Sequence, residues 1–312
     1  MPNIAGDMSK QITNIVFTKN RPLQLEGYLE SLYRHFPQEL LQTYIIYKPE
    51  LFGEQYQQLF QKLPNCKVIE ERDFSSDFLS VLKEVNTEYM LFGVDDVVYF
   101  DSVDFDLIDE TFKQFPKDIF GFSLRHGPQN AKACEAAQKV FAGNQKVYKM
   151  NWQAIKEYPF EICATVYRTE FVKSIINNVQ NNNPIIKKLF SPSSTFIKFL
   201  GKNKFKRKIL KYFGYFYAPN PLESWNCRWC QNHASQLPAY LYYQKQCAAV
   251  IQINMVSTAT VSKSENIADF SVESLAEKYK QGYRLDIDFI AANKPIGAFC
   301  GNLKFKLMKN GL

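Results

Sequence analysis

Two adjacent carboxylates, Asp95 and Asp96, stand between the apolar runs Tyr89–Val94 and Val97–Phe100. Neighbouring carboxylates at the end of a buried strand repel each other and lose hydration, so a nearby cation is the natural reason to keep both. Oxygen ligands at the carboxyl end of a strand suit Mg²⁺ or Mn²⁺, with the remaining positions left for water and a diphosphate. A turn whose acids cap the following segment explains the same two residues equally well.

The start of the chain predicts a second group of polar residues at the end of a strand. The run Ile12–Thr18 has the pattern of a buried strand, and Lys19, Asn20 and Arg21 follow it before Pro22. Pro22 fits the first turn of a helix, and apolar residues then recur at helical spacing as far as His35. Because helix N-termini present backbone N–H groups, this loop with two cations suits an anion.

Strand and helix patterns alternate through the N-terminal third of the sequence. Short apolar runs predict strands at 44–47, 67–70, 89–94 and 119–124, and helical stripes lie between the first three. A late strand is predicted at 248–256, followed by a helix from 272 that ends near Gly282. Such alternation predicts an α/β fold with a mostly parallel central sheet and ligands at the carboxyl ends of its strands.

The segments 17–25 and 89–97 together resemble GT-A fold glycosyltransferases, the large inverting family that includes many bacterial polysaccharide and lipopolysaccharide transferases. The resemblance covers residues 1–170 and implies a Rossmann-like, three-layer GT-A fold. It also implies a nucleotide-diphosphate sugar as donor, and Mn²⁺ or Mg²⁺ at Asp95 and Asp96, which stand where the family has its DxD-type motif. We assign six residues to the nucleotide side of this site: Thr18, Lys19, Asn20, Arg21, Glu70 and Asp95.

The same resemblance implies a carboxylate base shortly before a strand that ends in Val166, Tyr167 and Arg168. Glu161 occupies that position, although an exposed carboxylate at a strand start is the commoner role of a lone glutamate. Glu223 is the rival base, because it lies in a Pro-rich segment, 219–225, of the kind that carries catalytic groups. Either acid can deprotonate a sugar hydroxyl only within hydrogen-bonding reach of it.

These features predict a metal-dependent, inverting glycosyltransferase that moves a sugar to a glycan or lipid-linked acceptor. A sugar-phosphate nucleotidyltransferase is the first alternative, but such enzymes usually have a Gly-rich loop after the first strand, which 18–22 is not. A non-enzymatic binder of anionic membranes or nucleic acid is the second alternative. It would leave the acid pair without a task, and no nucleic-acid motif accompanies the basic residues.

A strongly basic segment divides the chain. The net charge is +7, and no acid occurs between Glu170 and Glu223, where ten cations alternate with large apolar residues. Cations with apolar residues suit the surface of an anionic membrane, although a solvated helical insertion explains them equally well. We therefore divide the chain into a nucleotide-sugar-binding catalytic core at 1–170, a basic aromatic insertion at 171–217, and the acceptor side of the core at 218–312.

Composition favours a globular protein of a reducing compartment. The chain has 312 residues, 46% of them hydrophobic, which suffices for a sizeable core. No apolar stretch reaches membrane-spanning length and the N-terminus lacks a signal-peptide pattern, so the cytoplasm is expected, with peripheral contact at the inner face of the membrane. Seven irregularly spaced cysteines make no disulfide framework. Cys227, Cys230, His233 and Cys247 would bind zinc if they converged, but ordinary free thiols are the favoured interpretation.

Overall fold

The computed structural model describes residues 11–127, 137–138, 146–150, 160–181, 221–254, 270–300 and 305–309. Its strands are β1 Ile12–Lys19, β2 Leu41–Lys48, β3 Cys66–Glu70, β4 Tyr89–Val94, β5 Val97–Tyr99, β6 Ile119–Ser123, β7 Ala137–Gln138, β8 Val147–Met150, β9 Thr165–Arg168, β10 Ala239–Tyr243, β11 Ala248–Ile251, β12 Tyr283–Leu285, β13 Phe299–Cys300 and β14 Leu307–Lys309. Its α-helices are α1 Pro22–His35, α2 Gly53–Phe60, α3 Phe74–Glu84, α4 Phe105–Gln114, α5 Thr169–Asn181, α6 Pro221–Asn232, α7 Val272–Lys280 and α8 Ile287–Ala292.

Nine of these strands form one central sheet in the order β3-β2-β1-β4-β9-β6-β10-β8-β7. Strands β1 to β4 pair in parallel, as do β6 and β10. β9 lies between β4 and β6 and runs antiparallel to both, and β8 runs antiparallel to β10 and β7. Seven strands therefore point one way and two the other, which confirms the predicted α/β fold with a mostly parallel sheet.

Helix α1 lies between two apolar cores. Leu25, Leu29 and Leu32 belong to the larger core around the central sheet, whereas Leu23 belongs to a smaller core with residues of α7, α8 and β11. The start of α1 is fixed by sequence, because Pro22 occupies the first helical turn, where its missing N–H costs nothing. Burial on two sides holds the N-terminus of α1 beside the carboxyl end of β1.

Directly after the acid pair, the chain enters a small sheet with the strand order β13-β11-β5. β5 begins at Val97, which pairs with Val250 of β11, and Val250 pairs in turn with Phe299 of β13. The Asp96 carbonyl oxygen accepts a hydrogen bond of 2.8 Å from the Ile251 N–H. The acid pair therefore lies at the junction of the two sheets.

Two predicted boundaries differ from those observed. The late strand expected at 248–256 ends at Ile251, because at Asn254 the backbone carbonyl turns to accept a hydrogen bond from Arg21 and the side-chain amide donates to the Phe270 carbonyl at 2.8 Å. Helix α5 crosses the position expected for the start of the insertion and buries Val172 and Ile175. Residues 182–217 of the predicted insertion lie outside the described residues.

None of the helices in the described ranges combines the length and apolar character that a bilayer crossing requires.

Candidate functional site

The carboxyl ends of β1 and β4 bring the two predicted polar groups together. These strands pair in parallel with Phe17 opposite Val94, so Thr18 lies beside Asp95. The Thr18 hydroxyl donates to Asp95 Oδ2 at 2.8 Å, and the Lys19 backbone N–H donates to the same oxygen at 3.4 Å. The loop after β1 and the acid pair after β4 thus form one site, as their placement at strand ends predicts.

Arg21 is the cation that faces the acid pair. Its Nη1 donates to Asp95 Oδ1 at 2.8 Å and to Asp96 Oδ2 at 3.3 Å, and its Nη2 donates to the Asn254 carbonyl oxygen. Arg21 and Asp95 are both almost fully buried. We call these three residues, Arg21, Asp95 and Asp96, the Arg21 centre. One guanidinium balances only one of its two carboxylate charges.

The two carboxylates of the Arg21 centre differ in how many of their oxygens accept hydrogen bonds. Both oxygens of Asp95 accept hydrogen bonds from protein groups. Asp96 Oδ1, in contrast, is buried and has no hydrogen-bond partner. Burial raises the pKa of Asp96 to about 6, against the opposing charge of Arg21, and the charge of Asp95 adds to the shift. Asp96 Oδ1 is therefore an open acceptor for a cation or a donor group.

The Arg21 centre offers a divalent cation one open carboxylate oxygen, that of Asp96. Within the described ranges, no three His, Cys, Asp or Glu side chains converge on one point. A buried carboxylate oxygen without a partner is nonetheless a suitable ligand for Mg²⁺, which keeps several waters and binds through one or two carboxylates plus phosphate oxygens. The fit therefore rests on Asp96, with water and a diphosphate supplying the other ligands.

The other loop residues hold the Arg21 centre in place. Asn20 adopts a left-handed backbone conformation with φ of 56°, and its Oδ1 accepts a hydrogen bond of 2.8 Å from the Leu51 N–H. Lys19 pairs through its side chain with Glu50 at 2.8 Å. The Tyr56 hydroxyl lies 2.7 Å from the Thr18 hydroxyl and accepts from the Arg21 N–H at 2.9 Å. Sequence reasoning missed this role, because Tyr56 fits the apolar stripe of α2.

Among the described residues, no hydrogen bond or ion pair joins Glu70 to the Arg21 centre. It is exposed at the end of β3, and its carboxylate accepts a hydrogen bond of 3.3 Å from the Tyr47 hydroxyl. The Tyr47 ring packs against that of Tyr56 at 5.3 Å between centroids. Tyr47 and Tyr56 therefore connect Glu70 to the residues around Asp95.

Glu161 occupies a second buried arginine–carboxylate centre. It forms an ion pair with Arg125, and both side chains are 3% exposed or less. Its Oε1 accepts hydrogen bonds from Ser123 at 3.2 Å, from Tyr240 at 2.7 Å, and from the Thr165 hydroxyl. We call Arg125 and Glu161 the Arg125 centre. The commoner role, an exposed carboxylate at a strand start, is wrong for Glu161.

Glu223 has a more open environment. It lies in the first turn of α6, and not in a loop as its Pro-rich surroundings suggested. It is half-buried, and its Oε1 accepts one long hydrogen bond of 3.4 Å from the Ile162 N–H. Burial raises the pKa of Glu223, although this N–H and the charge of Arg125 both oppose the shift. A carboxylate with few donors and a raised pKa is suited to accept a proton.

The buried thiol of Cys163 is influenced by charged groups of both centres. Burial raises its pKa, the positive charge of Arg125 opposes the shift, and the negative charges of Glu223 and Asp96 both add to it. The electrostatic environment of Cys163 therefore depends on Asp96 and on Glu223.

Ala164 fixes the backbone between Glu161 and β9. It has a φ of 50°, which costs strain in a residue with a side chain. Its N–H donates to the Phe92 carbonyl and its own carbonyl accepts from the Leu124 N–H, each at 2.9 Å. The strained residue thereby joins the end of β4 to the segment after β6, which places the two centres at one end of the sheet.

The cysteines and histidines behave as ordinary side chains where they are described. Burial raises the pKa of the Cys227 thiol to about 11, and His233 Nδ1 lies 2.8 Å from the Trp229 carbonyl oxygen within the same helical segment. Cys247 instead contacts the Ser102 carbonyl. Within the described ranges these residues do not converge on one point, and the free-thiol interpretation stays a prediction.

Comparison with known proteins finds glycosyltransferases. No family model matches the chain. The sequence is 23% identical over 195 residues to the bifunctional glycosyltransferase pgtA of Dictyostelium discoideum, a match that covers 53% of this chain and 25% of that protein. The chain thus spans about a quarter of its curated relative. This sequence match confirms the predicted resemblance to glycosyltransferases.

Among solved structures, the N-terminal part of TarS from S. aureus in complex with UDP is similar at 18% identity and a TM-score of 0.38, over 54% of this chain and 49% of that one. The mannosyltransferase PcManGT from Pyrobaculum calidifontis, in complex with GDP-Man and Mn²⁺, is 13% identical with a TM-score of 0.32, over 72% and 70%. A cytidylyltransferase from Leptospira borgpetersenii is 12% identical with a TM-score of 0.40, over 86% and 94%.

Proposed function

We propose that this protein is a metal-dependent glycosyltransferase that transfers a sugar from a nucleotide-diphosphate sugar to a glycan or lipid-linked acceptor with inversion. The observation that carries the proposal is the unpartnered, buried Asp96 Oδ1 beside Arg21 at the carboxyl end of β4. The glycosyltransferase name of the curated relative supports it. An open carboxylate oxygen next to a fixed cation suits a diphosphate that arrives with its own divalent ion.

The donor side is formed by Thr18, Lys19, Asn20 and Arg21, with the N-terminus of α1 behind them. Backbone N–H groups at a helix start suit the phosphates, and the carboxylate charge that Arg21 leaves unbalanced suits the divalent ion that accompanies them. When bound, Mn²⁺ or Mg²⁺ held by Asp96 neutralises negative charge on the leaving diphosphate. Asp95 holds Arg21 and the Thr18 hydroxyl in position, because both of its oxygens are already occupied by protein donors.

Glu223 is the better candidate for the base. Four donors already occupy the carboxylate of Glu161, so a proton taken up there would break the ion pair with Arg125. Glu223 has one long hydrogen bond and a raised pKa. It takes the proton of the acceptor hydroxyl while that oxygen bonds to the anomeric carbon and the bond to the diphosphate oxygen breaks. Direct displacement of this kind inverts the anomeric centre.

The experiment is a panel of nucleotide sugars, with UDP, GDP, CMP and dTDP as carriers, incubated with the protein and Mn²⁺. We expect release of the free nucleotide carrier with one donor, and loss of release in Asp96→Asn. The matched control is Asp288→Asn, since Asp288 is an exposed aspartate that pairs with Arg34 at the surface. Release of pyrophosphate from a nucleoside triphosphate and a sugar phosphate would instead identify a nucleotidyltransferase. No release with any donor would contradict the proposal.

The membrane proposal concerns the basic segment 171–217 and peripheral attachment at the cytoplasmic face. It rests on the ten cations and the apolar residues of the sequence between Glu170 and Glu223. Each cation near anionic headgroups contributes about 1 kcal/mol, and salt screens this attraction. Sedimentation with phosphatidylserine vesicles should fall when Lys204, Lys206, Arg207 and Lys208 are changed to Ser. Equal sedimentation of the variant and the parent protein would contradict it.

A further inference from the structure

An exposed aromatic ring stands at the edge of the small sheet. Phe299 of β13 is 54% exposed, and Ile296, three residues earlier, is 80% exposed. Large apolar side chains that lie together at the surface mark binding sites more often than isolated ones do. Met308 of β14 is another exposed large apolar residue, with an exposed fraction of 39%, and serves below as a control.

The Phe299 ring is held in place on one side. The guanidinium carbon of Arg125 lies 4.5 Å from the ring centroid, within the range of a cation–π contact. Arg125 also donates to the Ala298 carbonyl oxygen at 3.3 Å, and its charge is balanced by the buried Glu161. A buried ion pair whose carboxylate oxygens both accept hydrogen bonds therefore supports the ring from beneath, which lowers the entropy that the ring would lose on binding a ligand.

Strand pairing and hydrogen bonds link the ring to the segments that carry Asp96 and Glu223. Phe299 and Val97 pair with the same residue of β11, Val250, so two strand spacings, about 10 Å, separate their backbones. Val97 directly follows Asp96 in the chain. Arg125, which supports the ring, pairs with Glu161, and the N–H of the next residue, Ile162, donates to Glu223 Oε1 at 3.4 Å. The exposed ring thus borders the region in which an acceptor hydroxyl must meet the proposed base.

We infer that Phe299, with Ile296 beside it, binds the acceptor as a carbohydrate by stacking on the apolar C–H face of a sugar ring. The negative face of an aromatic ring attracts polarised C–H groups, and burial of both surfaces adds a hydrophobic contribution. The hydroxyl groups at the rim of the sugar remain free to reach Glu223. This inference rests on the proposed function and specifies the substrate class for the acceptor side of the same site.

The test measures binding of acceptor probes without turnover. Saturation-transfer NMR is recorded with the methyl glycosides of glucose, galactose, mannose and N-acetylglucosamine, in the presence of the nucleoside diphosphate of the active donor and Mn²⁺. We expect at least one glycoside to bind through its C–H face, with a Kd about tenfold higher in Phe299→Ala, near the parent value in Phe299→Trp, and unchanged in Met308→Ala.

Two results would overturn the inference. One is equal glycoside binding by Phe299→Ala and the parent protein. The other is a parent protein that binds none of the four glycosides but does bind a short-chain phospholipid or polyprenyl phosphate at Phe299, because the surface would then be a lipid site. Release of nucleoside diphosphate from the donor, measured separately with the parent protein, tests the proposed function. Failure of that release is therefore distinguishable from failure of glycoside binding.

Discussion

The Arg21 and Arg125 centres are built from the same chemical groups but are completed to different degrees. At the Arg125 centre one guanidinium meets one carboxylate, and three hydroxyl groups occupy the remaining acceptor capacity of Glu161. At the Arg21 centre one guanidinium meets two carboxylates, and Asp96 Oδ1 has no partner. A saturated buried ion pair gives rigidity, whereas an unsaturated one retains affinity for something that is not part of the chain.

This difference separates residues that hold the site from residues that act in it. Glu161 and Asp95 have every oxygen committed to protein donors, so each positions an arginine. Asp96 keeps an open oxygen, and Glu223 accepts one long hydrogen bond within the described residues. Both have raised pKa values, and the charges of both influence Cys163. Residue type and chain position alone do not distinguish the two groups, because all four are carboxylates near strand or helix ends.

The largest effect on stability is expected at the Arg125 centre. Glu161→Gln leaves the buried Arg125 guanidinium without a balancing charge, so the free energy of unfolding should fall by about 3–5 kcal/mol. Asp96→Asn should change it by less than about 1 kcal/mol, because Arg21 keeps Asp95 as its partner. Urea unfolding followed by tyrosine and tryptophan fluorescence measures both values.

The double replacement Glu161→Leu with Arg125→Met sharpens this test. It removes both charges together and should recover part of the stability that Glu161→Gln loses. If Glu161→Gln unfolds at the same urea concentration as the parent protein, the Arg125 centre is not a structural ion pair, and the contrast between the centres fails.

The next largest effect is expected on turnover at Glu223. Glu223→Gln keeps the shape of the side chain but cannot take up a proton, so kcat should fall roughly a hundredfold with little change in donor affinity. Because burial raises the pKa of Glu223, kcat/KM of the parent protein should decline as the pH falls through a value above that of an ordinary glutamate.

The contribution of Glu223 to this acid limb of the pH profile should be absent in Glu223→Gln, and any remaining limb is that of Asp96. Glu277→Gln, a replacement on the exposed side of α7, is the matched control and should keep the parent profile. A parent-like rate in Glu223→Gln would return the role of base to Glu161.

A moderate effect is expected from Asp95→Asn. An amide cannot accept from all of the donors that now meet Asp95, which include Arg21 and the Thr18 hydroxyl, so about 1–3 kcal/mol of stability should be lost. Calorimetric unfolding of Asp95→Asn and Asp96→Asn side by side measures the difference. Equal losses in the two variants would mean that the two carboxylates have equivalent roles.

The smallest effect is expected at Thr18. Thr18→Val removes one hydroxyl donor to Asp95 and one contact to Tyr56, so the free energy of unfolding should fall by about 1 kcal/mol. Tyr56→Phe provides a comparison, since it keeps the hydrogen bond from Thr18 to Asp95 but removes the contact to Thr18 and the acceptor of the Arg21 backbone N–H. A loss in Tyr56→Phe larger than that in Thr18→Val would show that Tyr56, and not Thr18, holds the loop.

The sequence predicts the frame of the site better than its detail. Apolar periodicity locates β1, α1 and β4, and parallel pairing then requires Thr18 and Asp95 to meet at one edge. The environment of Glu161 depends on hydroxyl groups that arrive from β6, β9 and β10, and no local pattern reports such convergence. Likewise, Asp96 Oδ1 has no hydrogen-bond partner among the described residues because Arg21 donates to the other oxygen, Oδ2. Only the three-dimensional arrangement determines which oxygen the guanidinium meets.

The position of β9 between β4 and β6 has a consequence for how the protein folds. Phe92 of β4 and Ser123 of β6 both pair with Thr165, so one short strand from much later in the chain joins the parts of the sheet that carry the two centres. Pairing between segments distant in sequence is slow, because a long loop must close before its contacts are made. The β1–β4 half, built from local βα units, can form early, whereas the Arg125 centre gains the Thr165 hydroxyl only when β9 inserts. Activity should therefore recover after refolding with the slow phase of β9 insertion, and later than the helical signal.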